Sequence, residues 1–402
     1  MADVLRDMAQ AGAAPSPEIE CAGAALGSAA RLGVGTVVVN RELVANGARS
    51  KRHLEIALPD GVSYLPGDYL AVLPPNSAAV VDRVLARFGL AQDTRLVLSG
   101  RETLTAGEFL AGHVALAEPA TRGGITRLAA AAPAHAGRDD LAALAAREPE
   151  AGERRPTVLD LLERHPGCAV DFTEFLGLHA PLVPRRYSIS SSPRWNPRRV
   201  SLTVAVVRDP SGAFAGSAST FLGDAAPGTR VAVSVAGSGK AFHPPESLMT
   251  PMVMACAGTG IAPFRGFLQD RALRALDEGV APAPSLLFFG CDRPEADFLY
   301  RDELAGWAEA GIVDVRPAFS AAPEDGVRYV QERLWRDRTD VMNLLRRDAV
   351  FYVCGDGRRM APAVADTCAR IYAEATDATP GEAEEWLTLR LDHGGYRSDA
   401  YL

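Results

Sequence analysis

Several absences narrow what this sequence can do. Its 402 residues hold six cysteines, at positions 21, 168, 256, 291, 354 and 368, and no two form a Cys-x-x-Cys pair. That removes zinc ribbons and thioredoxin-type chemistry. Few, scattered thiols in a chain of this length suit a reducing compartment, so a cytoplasmic protein is expected. No run of about 18 apolar residues occurs, so no membrane span is expected. Residues 1–10 include Asp3, Arg6 and Asp7 and lack the apolar core of a secretory signal. Positive charge is in deficit, with 42 Lys and Arg against 50 Asp and Glu, which argues against a dedicated nucleic-acid binder. Neither a Gly-x-Ser-x-Gly elbow nor a Walker lysine motif is present, so a hydrolase is not supported. His113, His135, His165 and His179 share one segment without ligand spacing, and no metal site is expected.

What is present reads as two or three domains with an ordinary core, at 48% hydrophobic and 23% charged residues. Residues 1–30 have the Ala, Gly, Ser and Pro content of a linker. Strand alternation follows at 36–39 and 53–58, with Asn46-Gly47 as a turn between them. Pro66-Gly67-Asp68 precedes a further strand and reads as a barrel corner, or as any tight turn. Residues 76–180 lose the strand signal and take helical spacing at 80–88, 141–144 and 158–162. Strands return at 184–193, 199–207 and 228–235. In the first of these, Arg185 can grip a phosphate, Tyr187 offers a flat face and Ser188 a small donor. The same stretch also reads as an exposed, serine-rich strand and turn. Ala215-Gly216-Ser217-Ala218-Ser219-Thr220 enters a short helix whose first amides can meet a phosphate, or be capped by Ser217 or Ser219.

From residue 251 strands alternate with helices: 252–257, 285–291, 313–320 and 349–357 are strands, with helices expected after Phe264, from about Asp297 and from Met360. This pattern predicts a parallel, doubly wound sheet. Gly258-Thr259-Gly260-Ile261-Ala262-Pro263 forms a glycine-rich strand-to-helix turn, where pyrophosphate can meet backbone N–H groups. It is not a Gly-x-Gly-x-x-Gly fingerprint, because Pro263 takes the last place. The chain ends with Asp399-Ala400-Tyr401-Leu402, an aromatic where termini usually fray.

Taken in order, Arg185-x-Tyr187-Ser188, Gly216-x-x-Ser219, Gly258-Thr259-Gly260, Gly290-Cys291, Tyr329-Val330-Gln331, Cys354-Gly355-Asp356 and a terminal aromatic form a set. This set resembles the FAD and nicotinamide half of the diflavin reductases, in the ferredoxin–NADP reductase superfamily. Residues 186–193, 354–357 and 360–364 are especially similar to the reductase portion of bacterial self-sufficient cytochrome P-450 fusions. The resemblance runs from about residue 31 to the end. It implies an antiparallel FAD-binding β-barrel split over 31–75 and 181–245, a helical connecting insertion at 76–180 and a nicotinamide-binding domain at 246–402. The activity implied is NAD(P)H-dependent FAD oxidoreduction, with electrons leaving one at a time for an FMN-containing flavodoxin-like domain or protein and ultimately a haem protein.

The resemblance also implies residue roles. Arg185, with Gly216 and Ser219, would bind the FAD pyrophosphate, Tyr187 would stack on the ring and Ser188 would meet its N5, with Thr203, Ala205 and Thr220 completing the FAD set. Tyr401 would cover the other ring face and move aside for nicotinamide. Ser188, Cys354, Asp399 and Tyr401 would be catalytic. Arg52, Gly258, Thr259, Gly260, Cys291, Ser320, Arg328, Tyr329, Gln331 and Met360 would hold NAD(P)H.

Departures bear on the nucleotide. The family's terminal Trp is Tyr401, and the second, usually aromatic, residue of the flavin motif is Arg186. Basic residues that hold the 2′-phosphate of NADPH are replaced by Asp292, Ala321 and Val327, with Arg293 and Arg328 one place off. NADH is therefore expected to serve at least as well as NADPH. No FMN or haem domain lies in these residues, so a separate partner or a longer chain is expected. Arg185, Arg186, Arg194, Arg198 and Arg199 are a candidate basic docking patch, or a solvated strand edge. Alternatives are a reductase of a ferredoxin, flavodoxin or sulfite-reductase-type partner, and a degenerate nucleotide-binding scaffold.

Overall fold

The computed structural model describes residues 18–21, 32–45, 47–98, 103–133, 136–150, 153–208, 216–239 and 241–401. Most of the stretch read as a linker, together with Asn46, His135, Ala215 and Leu402, lies outside the described residues. The chain divides into two compact units, Met1–Leu32 with Leu73–Pro184, and Gly33–Val72 with Arg185–Leu402.

The first unit is mainly helical. Helices Ala106–Gly112, Val158–Arg164 and Phe172–Leu176 each open on a reciprocal capping box, Thr105 with Glu108, Thr157 with Asp160 and Asp171 with Glu174. With Ala78–Phe88 and Arg122–Ala131 they bury Phe109, Leu110, Leu128, Leu162 and Phe175. Two expectations are corrected here. The insertion also contains strands Arg95–Leu98 and Thr103–Thr105, and Glu18–Cys21, inside the supposed linker, pairs in parallel with the first of them. Strands of three or four residues show too few alternations to stand out from a helical background.

In the second unit a six-stranded sheet runs in the order Arg185–Ser188, Tyr69–Leu73, Arg230–Ala236, Gly33–Glu42, Lys51–Ala57, Arg199–Ala205. Its two edge strands continue into a single bridge, Ile189 with Leu202, reinforced by the Ser190 N–H donating to the Ser201 carbonyl at 2.8 Å. The expected barrel is thus an antiparallel sheet curled until its edges meet at one point. Val37, Leu54, Ile56, Leu70, Leu202 and Val204 fill its interior. The Pro66-Gly67-Asp68 corner demands glycine. Gly67 has φ +99°, and a Cβ there would sit 1.9 Å from the Phe242 carbonyl oxygen.

The second sheet is wholly parallel, in the order Asp314–Phe319, Ser285–Cys291, Met252–Ala257, Val350–Asp356, Tyr396–Tyr401. Met254, Cys256, Phe289 and Tyr352 face one layer with Phe264 and Phe267; Val253, Phe288, Phe351 and Val353 face the other with Leu334 and Ile371. Burial on both faces explains why these strands read as unbroken apolar runs. The fifth strand is the tail itself, which sequence reasoning left unassigned. The strand order reverses between Met252–Ala257 and Val350–Asp356, and such a reversal opens a crevice at the strands' carboxyl ends.

Buried polar ties join the two sheets. Arg265, on helix Ile261–Glu278, donates to the Ser190 carbonyl at 2.6 Å, to Ser201 Oγ at 3.0 Å and to Glu303 at 2.8 Å, and lies over the Tyr300 ring. Ser192 Oγ donates to Asp270 at 2.8 Å, and Ser191 Oγ accepts the Ser201 N–H at 2.9 Å. Ser190, Ser191 and Ser192 therefore lock the fold. The helix expected from about Asp297 begins four residues later, at Arg301, because Tyr300 is left-handed (φ +59°) and Asp297 is occupied in accepting the Asp292 and Arg293 amides.

His53, 3% exposed, stands between the Tyr300 hydroxyl (3.1 Å) and Glu55 (3.4 Å). Burial, then the Arg265 and Arg41 cations, lower its pKa from 6.5 to about 4, against the opposing pull of Glu55. The unfolded chain takes up this proton first. The stability that rests on neutral His53 is complete above pH 6.5 and lost as pH falls through about 4. Urea midpoints between pH 7 and 4 should fall more steeply for the parent than for His53→Gln, the difference reaching roughly 3 kcal/mol at the acid end.

Candidate functional site

Two strand pairs supply the centre of the site. Tyr69 and Ser188 are opposite each other in the antiparallel sheet, and Cys354 and Asp399 are opposite each other in the parallel one. The Tyr69 hydroxyl donates to Asp399 Oδ1, and Ser188 Oγ donates to Oδ2 at 3.4 Å. Asp399 is 9% exposed and Cys354 1%. Burial, and then the Asp399 charge, push the Cys354 thiol well above its ordinary value, so it stays a thiol and is no nucleophile. Burial and the bond to Asp399 likewise raise the Tyr69 phenol, which keeps it a donor. The result is a fixed carboxylate with a hydroxyl on each oxygen and an uncharged thiol alongside. Such a set can orient a polar ring and answer charge that develops on it.

The glycine-rich turn beside this cluster is shaped by close approach. A Cβ on Gly260 would lie 2.3 Å from the Cys354 carbonyl oxygen, so the turn seats directly on the neighbouring strand. Gly258, at φ +55°, faces open space and leaves its backbone approachable. Thr259 Oγ1 meets the Tyr401 hydroxyl at 3.4 Å, and Tyr401 is 50% exposed. Met360 folds over Gly355, where a Cβ would come within 2.9 Å of its methyl carbon.

On the antiparallel side, helix Ser217–Asp224 starts at Gly216 with no side-chain cap, which leaves its first turn of amides to an anion. A Cβ at Gly216 would stand 2.7 Å from Ser219 Oγ. Arg185 is exposed, and Tyr187 is half-buried with its phenol pushed up to about 12 by burial. An arginine, an uncapped helix start and two aromatic faces, Tyr187 and Tyr401, are the donor set a flavin dinucleotide requires, so these residues fit FAD.

Several expected ligands are engaged elsewhere. The Arg52 guanidinium is held by Asn40 (2.6 Å) and Glu42 (3.3 Å) on the adjoining strand. Thr203 is buried with its hydroxyl 2.7 Å from that of Tyr300. Ser219 Oγ accepts the Val207 N–H at 3.2 Å and donates to the Gly216 carbonyl at 3.3 Å, so it shapes the turn. Cys291 is 7% exposed and its side chain packs in the core, leaving its carbonyl to accept the Ser320 N–H. Ala205 is exposed at a strand end, and Thr220 Oγ1 reaches the Val207 carbonyl at 3.5 Å. Ser320, Arg328, Tyr329 and Gln331 gather after the strands Ser285–Cys291 and Asp314–Phe319, with Tyr329 exposed at the start of helix Val330–Arg336. Sequence reasoning missed Tyr69. Its one signal is its place directly after Pro66-Gly67-Asp68, and only strand register sets it across from Ser188.

Comparison with known proteins finds two matching domain families. Residues 28–221 match an FAD binding domain family and residues 254–366 an oxidoreductase NAD-binding domain family. The chain is 43% identical over 343 residues to a self-sufficient cytochrome P450 monooxygenase of Phanerodontia chrysosporium, covering 81% of this chain and 32% of that protein. It is 39% identical to a bifunctional cytochrome P450/NADPH–P450 reductase of Fusarium oxysporum, over 87% of this chain and 35% of that one. A bifunctional cytochrome P450/NADPH–P450 reductase of Bacillus subtilis is also 39% identical, over 91% and 36%. The chain spans about a third of the length of these relatives.

Proposed function

This chain belongs to the FAD- and NAD(P)H-binding reductases of the diflavin type, in the ferredoxin–NADP reductase superfamily, and on that footing we propose that it draws electrons from NAD(P)H toward an FMN-containing flavodoxin-like domain or protein that serves a cytochrome P-450. FAD, when bound, supplies the redox chemistry, accepting a hydride and yielding its electrons singly. The chain's own residues bind and orient. Arg185 and the amides at the start of Ser217–Asp224 take the pyrophosphate, and Tyr187 and Tyr401 take the ring faces. Ser188 places its hydroxyl at the reacting edge. Cys354 and Asp399 position the nicotinamide, with Tyr69 holding the Asp399 carboxylate.

The observation that carries this reading is the convergence of Tyr69 and Ser188 on Asp399, since it brings the strand of Tyr187 to the strand of Tyr401. The arginine patch supports a docking face only in part. Arg194 is paired with Asp270 and Asp277, Arg198 with Asp60 and Arg199 with Glu55, so part of the patch's charge is already offset. Purified protein should be yellow and should bleach under anaerobic NAD(P)H. Flavodoxin-like FMN proteins should then be reduced faster than ferredoxins. Colourless protein that stays inert with added FAD would defeat the reading, and a ferredoxin preference would change the acceptor.

A further inference from the structure

We propose that the nucleotide corner of this site is built for a dinucleotide whose adenosine ribose carries a free 2′-hydroxyl, that is, for NADH over NADPH. The inference rests on the nicotinamide site proposed above and adds the identity of its nucleotide. The turn Gly258–Gly260 marks the middle of the crevice, and Cys354, Asp399 and Tyr401 lie to one side of it along the sheet. An extended dinucleotide with its nicotinamide at that side must lay its adenosine over the other strand ends, those of Ser285–Cys291 and Asp314–Phe319. Tyr329, half exposed there, is a flat surface for a base.

The polar groups at these strand ends are unusually one-sided. The Asp292 and Arg293 N–H groups both donate to Asp297 Oδ1, at 2.9 Å each. The Ser320 N–H goes to the Cys291 carbonyl at 2.9 Å and the Ala321 N–H to the Asp292 carbonyl at 3.0 Å. The Arg328 and Tyr329 N–H groups go to Glu332, at 2.7 and 3.2 Å. The Ser320 hydroxyl, the remaining small donor, is given to Asp292 Oδ1 at 2.9 Å. A phosphate arriving here meets amides already committed, four to carboxylates and two to backbone carbonyls. What the corner offers outward is the exposed Asp292 carboxylate, aimed by Ser320. A ribose 2′-hydroxyl can donate to that carboxylate. A 2′-phosphate sets like charge against it, a repulsion that selects by rejecting the wrong ligand. Arg293 and Arg328 are exposed cations on the flanking loops and would be the phosphate's recourse, so the test includes them.

The decisive measurement is calorimetric titration of the FAD-loaded protein with 5′-AMP and with 2′,5′-ADP, which differ only in the 2′-phosphate, alongside kcat/KM for NADH and NADPH. AMP should bind at least about tenfold more tightly, the discrimination expected of a site that pairs with a substrate hydroxyl. Asp292→Asn should bring the two affinities within about threefold by removing the repelling charge, and Ser320→Ala should narrow the gap by less. The double variant Arg293→Ala, Arg328→Ala should widen the preference for AMP, because it removes the 2′-phosphate's recourse. Tighter binding of 2′,5′-ADP by the parent, an unaltered ratio in Asp292→Asn, or no binding of either ligand would each overturn the proposal. A clear AMP preference in protein that neither NADH nor NADPH can bleach would instead defeat the reductase reading and leave the nucleotide assignment standing.

Discussion

Asp399→Asn is expected to slow anaerobic reduction of bound FAD by nicotinamide nucleotide on the order of 10²–10³-fold, the range lost when a positioned polar group is removed from a reacting centre. The side chain keeps its volume, so its place across from Cys354 in the parallel sheet should hold. What changes is the pairing. The carboxylate accepts from Tyr69 on one oxygen and from Ser188 on the other. An amide has one accepting oxygen and two donating protons, so one hydroxyl is left facing a donor in a buried place. Tyr69→Phe removes only one of these bonds and should cost about tenfold by the same reasoning. Stopped-flow loss of flavin absorbance measures both, with thermal melts to confirm that the fold is kept. A rate for Asp399→Asn within twofold of the parent would rule out any part for this cluster in the chemistry.

The second large effect concerns the turn. Gly260→Ala places a methyl group 2.3 Å from the Cys354 carbonyl oxygen and 2.9 Å from its carbon. Both are backbone atoms in the middle of a sheet, so relief requires the turn or the strand Val350–Asp356 to move. Overpacking of this kind costs roughly 1–3 kcal/mol. The displacement falls on the nicotinamide side and leaves Arg185, Tyr187 and Gly216 untouched. The variant should therefore purify yellow, melt at lower temperature and show a KM for nicotinamide nucleotide raised by tenfold or more, on the order of the misplacement cost for a positioned ligand. Loss of FAD with an unchanged KM would mean that the turn serves the flavin instead.

Much of this was readable from the residues. Period-two and apolar runs located the long strands, and the glycine-rich turn and the Cys354-Gly355-Asp356 stretch lie at strand ends, where a doubly wound sheet puts its ligands. What escaped shares one cause, which is that pairing between distant segments leaves little local trace. Glu18–Cys21 looks like linker until Arg95–Leu98 stands beside it, and the tail looks frayed until it adds to Val350–Asp356. Tyr69 gains its part only through Ser188 and Asp399. Which side chains are already engaged is equally invisible in the sequence. Thr203 and Arg52 resemble ligands by position, yet Tyr300, Asn40 and Glu42 claim them. Ser190, Ser191 and Ser192 read equally well as an exposed, serine-rich strand and turn, but they are fully buried struts.

The ties of Arg265 to Ser190 and Ser201, of Ser192 to Asp270, of Thr203 to Tyr300 and of Lys51 to Asp297 run between the curled sheet and the parallel one. A jaw-like opening would break all of them at once and exchange their buried, mostly charge-assisted bonds for bonds to water. The proposed function then leaves substrate exchange to the half-exposed ring at position 401, whose hydroxyl meets only Thr259 Oγ1 among the side chains described. Side-chain rotations of that kind run far faster than domain closures. Under the proposed function, entry and exit of the nucleotide turn on one rotamer at the rim.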